Sequence, residues 1–120
     1  MTNYSRGASF ERTVKADLKA RNFLVIRAAG SHGIVDLVAF PPMEGTIVRE
    51  PWFIQAKTNG IMSPAERFEL YECAASHGAW AVRASRPTRG TIRYERLFTH
   101  GKTQWVELHL PKEVKCHPTS

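Results

Sequence analysis

A chain of 120 residues is the size of one ordinary domain and long enough to bury a core. Its hydrophobic fraction of 42% suits a globular fold, and no apolar run approaches the roughly 20 residues of a membrane span, which argues against a transmembrane helix. Lys and Arg number 17 against 11 Asp and Glu, a net charge of +6 with a pI near 9.8, so a polyanion suits this chain better than an acidic surface does.

Eleven of the 17 cations are Arg, the residue whose planar fork matches a phosphate. Five of them, Arg83, Arg86, Arg89, Arg93 and Arg96, fall in one short segment. A solvated basic face would have the same composition, so charge alone does not decide between the two. The first residues, Met1 to Arg6, lack the apolar stretch of a secretory signal. Two cysteines, Cys73 and Cys116, do not make a disulfide framework. The expectation is a reduced, cytoplasmic protein.

Phe10, Val14 and Leu18 recur at four-residue spacing and predict an amphipathic helix from about Gly7 to Arg21, capped by Ser5 or Ser9 and stopped at Asn22. Glu11 falls beside that apolar stripe. A carboxylate there needs a partner or a metal, unless it is solvated at the stripe's edge or paired with Lys15 one turn on.

The nearly continuous apolar run Phe23 to Ala29 predicts a strand covered on both faces. Gly30-Ser31-His32-Gly33 is a loop, and Ile34 to Phe40 is the next strand, with one charge, Asp36, at its centre. A lone buried carboxylate loses its hydration and is costly unless paired or metal-bound. Pro41 to Gly45 is turn chemistry, so this strand and the one from about Thr46 to Lys57 are expected to form an antiparallel hairpin, with Pro51 marking an edge, a bulge or a break.

The second half of that strand, Trp52 to Lys57, carries two polar residues near its end. By the two-residue period Phe53, Gln55 and Lys57 share one face, and Trp52, Ile54 and Ala56 the other. Rigid strand ends beside open loops are where chains tend to place chemistry.

Ser63-Pro64-Ala65-Glu66 reads as a capping box with Pro at the first helical position. The helix it opens carries Phe68, Tyr71 and Ala75 as an apolar stripe and ends at His77-Gly78. Strands are then predicted over Ala79–Ala84 and Thr91–Leu97, joined by the basic loop Ser85–Gly90, with a last short strand within Gln104–Leu110 and a frayed tail after Pro111. There is no internal repeat.

The polar exceptions are thus Glu11 on the first helix, Asp36 on the second strand, and Gln55 and Lys57 on the third. In this pattern the chain resembles the PD-(D/E)XK nuclease superfamily, and within it the archaeal-type Holliday junction resolvases (Hjc-like), of which phage versions occur. The resemblance is carried by Arg6-Gly7-Ala8-Ser9-Phe10-Glu11-Arg12, Phe23 to Ala28, Gly33 to Ala39 and Phe53-Ile54-Gln55-Ala56-Lys57, and it runs from about Arg6 to Leu97. Two positions depart from the superfamily pattern. Val35 stands where the superfamily name has Pro, and Gln55 stands where an acidic residue is usual. An amide oxygen can still meet a hard cation, but the site loses one negative charge.

The resemblance implies an α/β fold with a restriction-endonuclease-like core: a central mixed β-sheet of about five strands flanked by helices. It implies one nuclease domain over residues 1–120, with a core of about 6–97 and a C-terminal strand and tail over 98–120. It implies an Mg²⁺-dependent endodeoxyribonuclease, with Mn²⁺ able to substitute, that resolves four-way junctions as a homodimer. Asp36, Gln55, the Ala56 carbonyl and Glu11 would hold the metal, and Lys57 would act on the attacking water or on the phosphate. Ser31 would contact the scissile phosphate. Arg6, Arg12 and Arg27 would grip the DNA backbone, with Arg83, Arg86 and Arg89 as further DNA contacts. Phe68, Tyr71, Trp105 or Leu108 could supply a dimer interface, although core packing is the plainer role for Phe68 and Tyr71.

Two rivals remain. One keeps the nuclease and changes the substrate to duplex or flap DNA, as in a repair or restriction-like endonuclease. The other is a non-catalytic DNA-binding protein in which Gln55 marks a decayed site. A zinc module from His109, Cys116 and His117 lacks a second ligand pair at finger-like spacing.

Overall fold

Phe10, Val14 and Leu18 meet the same core from one side of a helix, α1 (Asn3–Lys19), and Val14 and Leu18 are fully buried. In this computed structural model, the described residues are 3–28, 33–88, 90–98 and 105–110, with the side chains of 3–8 left aside. α1 starts earlier than the spacing suggested, so Ser5 and Ser9 both lie inside it and neither caps it. Its stop is the expected one. Asn22 takes a left-handed φ of 67°, which Asn tolerates better than most residues, and the Phe23 amide returns to the Leu18 carbonyl at 3.1 Å.

The chain continues through β1 (Leu24–Arg27), β2 (Leu37–Phe40), β3 (Trp52–Ala56), α2 (Pro64–Ala75), β4 (Trp80–Thr88), β5 (Thr91–Leu97) and β6 (Trp105–Leu108). The strands form one mixed sheet in the order β1-β2-β3-β4-β5-β6. All neighbours are antiparallel except β3 and β4, which run parallel with α2 as the crossover between them. The sheet has six strands rather than about five, because the short C-terminal strand pairs with β5.

The β2–β3 hairpin is as expected, with Leu37 opposite Ile54 and Ala39 opposite Trp52. Pro51 marks the break before β3, so the strand is shorter than Thr46–Lys57. A separate bridge, Glu44 to Ile47, closes the turn ahead of it. The expectation for β1 fails: Val25 is buried, but Leu24 and Ile26 are 63% and 52% exposed. β1 is an outermost strand, packed by α1 on one face, and among the described residues no helix packs closely on its other face.

The two faces carry separate cores. On the α1 side Phe10, Val14 and Leu18 pack with Leu37, Trp52, Ile54 and Val82. Trp52 meets Phe23 edge-on at 4.9 Å between ring centroids. Each fully buried Leu or Ile here contributes roughly 1.5–3 kcal/mol. On the α2 side Leu70 and Ala74 pack with Met62, Ala81 and Leu97.

α2 begins as read, with Ser63 as N-cap, Pro64 at its start and both halves of the capping box closed. Its buried stripe is Leu70 and Ala74 rather than Phe68, Tyr71 and Ala75, and Phe68 is 51% exposed. The basic segment after Ser85 is mostly strand: β4 runs to Thr88 with a register irregularity between Ser85 and Thr88.

Candidate active site

The polar exceptions of the sequence meet at one end of the sheet. β1 and β3 end there, β2 begins there, β4 passes beside β3, and Phe10 and Glu11 of α1 lie over it.

Asp36 lies at the mouth of β2, not at a strand centre, yet its main chain still belongs to the sheet. Its amide donates to the Ile54 carbonyl at 2.8 Å, and its carbonyl accepts the Ala28 amide at 2.9 Å. The side chain folds back on β3, where Oδ2 accepts the Ala56 amide at 2.9 Å. A strand residue's N–H and C=O point toward the same neighbour, so the Ala56 carbonyl also faces the Asp36 side. Burial pushes the Asp36 carboxyl up to about 6, and the negative charge of Glu11 adds to this, against the Ala56 hydrogen bond, Lys57 and Arg27.

Gln55 follows Ile54 on β3, and strand alternation turns its side chain to the face of Phe53, toward α2. It is buried, at 9% exposure, and its Oε1 has no hydrogen-bond partner among the described residues. A buried acceptor without a partner is costly and unusual.

Lys57 follows the last residue of β3. Its amide is anchored on the Ala84 carbonyl at 2.9 Å, and its carbonyl accepts the Gly60 amide at 2.8 Å, closing a tight turn in which Gly60 has φ of 74°. Its Nζ lies 2.8 Å from Glu66 Oε2 on α2. This contact was not foreseen in the sequence: Glu66 was read as a capping residue, and it is one, but its second oxygen faces the lysine.

Glu11 has found its partner in Arg27, whose Nε donates to Oε1 at 3.1 Å, and not in Lys15. Arg27, expected on DNA, is thereby engaged at the wall of the site. Arg83 is engaged more deeply. It holds Glu95 at 2.6 Å with both side chains largely buried, donates to the Gly60 carbonyl at 2.6 Å, and lies over the Trp105 ring at 4.1 Å. It braces the turn after Lys57 from behind and is not presented as a surface cation.

Arg86 is nearer the site. Its amide donates to the Thr58 carbonyl at 2.9 Å, its guanidinium lies 5.4 Å from the Phe10 ring centre, and its buried Nε has no partner among the described residues. Arg12 is exposed and, with Lys15 and Lys19, lines an open depression of about 610 Å³ along α1. Ser31, Arg89, Cys116 and His117 lie outside the described residues, as does the side chain of Arg6. His109 is exposed beyond β6.

Among the described residues no group of three or more His, Cys, Asp and Glu could hold a metal ion. The donors gathered here are different: the Asp36 carboxylate, the Gln55 amide oxygen, the Ala56 carbonyl and, behind them, Glu11. All are oxygens, the set a hard divalent cation takes, and the partnerless Gln55 Oε1 is the atom such a cation would satisfy. The residues therefore fit Mg²⁺ with one carboxylate fewer than the superfamily pattern.

No protein-family model matches the chain, and no curated protein matches it. Among solved structures, the Holliday junction resolvase Hjc of Archaeoglobus fulgidus, an archaeal hyperthermophile, is similar over 72% of this chain and 72% of its own, at 29% identity and a TM-score of 0.57. This chain has the restriction-endonuclease-like fold of such a resolvase. The resemblance read from the residue pattern thus holds in three dimensions. Among the described residues of this resolvase-like fold, no helix is long and apolar enough to cross a membrane.

Proposed function

We propose that this chain is a single-domain, metal-dependent endodeoxyribonuclease that resolves four-way DNA junctions by paired nicking, as a homodimer in the cytoplasm. One observation carries the reading: a carboxylate with a raised pKa, Asp36, bonded to the amide of Ala56 between Gln55 and Lys57, with the buried Gln55 amide oxygen left without a partner among the described residues. Likeness to the Archaeoglobus fulgidus resolvase supports the choice of substrate.

Asp36, Gln55 Oε1, the Ala56 carbonyl and Glu11, directly or through water, would hold Mg²⁺ or Mn²⁺. The cation supplies positive charge for the phosphoryl oxygens and makes water a better nucleophile at neutral pH. The remaining work falls to side chains. Lys57 presents its ammonium to the attacked phosphate and orients the water beside it. Ser31 contacts the scissile phosphate, and the half-buried Arg86, beside Phe10, offers its guanidinium to the adjacent backbone. Arg6, Arg12 and Arg89 grip the flanking strands, and Lys15 and Lys19 extend the basic face of α1.

A two-fold substrate suits a two-fold enzyme. Leu24 and its partner Phe40 across β1 and β2 are exposed together with Ile26, and Phe68 is exposed on α2, which supports a second copy as the covering surface. Cleavage of a synthetic four-way junction, compared with linear duplex and flap DNA, tests the substrate. Preference for the junction supports resolution, and equal cleavage of duplex or flap DNA supports a repair or restriction-like enzyme. Junction binding without Mg²⁺-dependent nicking supports the decayed-site alternative.

A further inference from the structure

A lysine just past the end of a strand has four rotatable side-chain bonds, and holding it in one reactive conformation costs rotamer entropy. Here the side chain is fixed at both ends. The Lys57 amide is pinned on the Ala84 carbonyl, and Nζ is pinned at 2.8 Å on Glu66 Oε2.

Glu66 is itself fixed. Its Oε1 accepts the Ser63 amide at 2.9 Å, and its own amide donates to Ser63 Oγ at 3.1 Å. One carboxylate thus caps α2 with one oxygen and holds Lys57 with the other. α2 is seated on the sheet by the fully buried Leu70 and the nearly buried Ala74, so the carboxylate cannot drift from β3 without moving the helix.

Stability does not account for this pair. Lys57 and Glu66 side chains are 31% and 32% exposed, and pairs so open to solvent contribute little to stability. The capping box would close equally well with Gln at this position. What the charge adds is placement. The neighbouring strand end has a neutral amide, Gln55, where a carboxylate would otherwise draw the ammonium into line.

We infer that Glu66 is the positioning residue of Lys57, supplying from the start of α2 the negative charge that position 55 lacks. An ammonium that spends one N–H on Glu66 keeps two for the phosphate and the water, so Lys57 acts as an oriented cation. This rests on the reading of the chain as a nuclease that uses Lys57.

The test compares wild type, Glu66→Gln, Lys57→Ala and the double variant. It reads the single-turnover rate of Mg²⁺-dependent cleavage of a four-way junction, junction affinity, and thermal unfolding. Glu66→Gln keeps the cap and removes the charge. The expected result is cleavage on the order of 10²-fold slower, the scale of a small misplacement of a reacting group, with affinity and melting temperature unchanged. In the Lys57→Ala background the same substitution is expected to cost nothing further, because its effect passes through the lysine. Wild-type cleavage by Glu66→Gln, or an equal further loss in the Lys57→Ala background, overturns the positioning role and leaves the nuclease reading standing. A wild-type chain that does not cleave, or that cleaves as well after Lys57→Ala, overturns the nuclease reading and the positioning role with it.

Discussion

The Asp36 carboxylate accepts the Ala56 amide at 2.9 Å, so a side chain from the mouth of β2 completes the hydrogen bonding of β3 where the backbone ladder ends. The group proposed to bind the metal is therefore also a structural acceptor, and the two roles can be separated. Asp36→Asn keeps an oxygen for the Ala56 amide and removes the desolvated charge. It is expected to abolish cleavage while unfolding at or above the wild-type temperature. Asp36→Ala leaves that amide without its acceptor and is expected to be less stable than Asp36→Asn by about 1–3 kcal/mol in denaturant titrations.

The same carboxyl sets a pH dependence. Its folded pKa, about 6, lies above its ordinary value of 3.8, so the folded state binds this proton more tightly than the unfolded chain. The stability it contributes is fully present below about pH 3.8 and is lost as pH rises through about 6. With chelator present, thermal unfolding should show a component that falls between pH 4 and 7 and disappears in Asp36→Asn. Added Mg²⁺ should oppose that fall in wild type, because a bound cation favours the charged form.

Gln55→Glu restores the acidic residue usual in the superfamily. One more negative charge beside Asp36 should lower the Mg²⁺ concentration needed for half-maximal cleavage. In metal-free buffer the variant should be less stable than wild type, because a carboxylate buried at position 55 is desolvated and repels that of Asp36. A Mg²⁺ titration of cleavage and melting curves in chelator check the two halves of this prediction.

Arg83 and Glu95 pair at 2.6 Å with side chains 15% and 10% exposed, and Arg83 also reaches the Gly60 carbonyl. Removing one partner of such a buried pair leaves an uncompensated charge, so Arg83→Ala is expected to cost about 3 kcal/mol in denaturant unfolding. Residual folded protein should also cleave slowly, because the turn after Lys57 has lost its brace. Junction affinity should change far less than for Arg12→Ala, whose side chain is exposed beside Lys15 and Lys19.

The elements legible in the sequence were those fixed by local chemistry. Ser63, Pro64 and Glu66 named the start of α2, Asn22 named the end of α1, and the alternation about Gln55 placed Trp52 and Ile54 on one face and Phe53 on the other. Asp36 stood out because a charge in an apolar run demands a reason, and its raised pKa and its bond to Ala56 show where that demand is met. What the sequence withheld depends on neighbours far along the chain. Leu24 and Ile26 are as apolar as core residues, and only their place on an outermost strand leaves them exposed. Arg83 looked like any other cation of the basic segment until its register opposite Glu95 turned it inward. Glu66 was read correctly as a cap, yet periodicity could not show that Lys57 lies 2.8 Å from its other oxygen.

The most direct measurement is cleavage of a four-way junction with fixed, individually labelled arms, with and without Mg²⁺, by wild type and Asp36→Ala. The account predicts paired, symmetric nicks in opposing strands that require Mg²⁺ and vanish in Asp36→Ala. Junction binding with no Mg²⁺-dependent nicks, or nicks undiminished in Asp36→Ala, would contradict it.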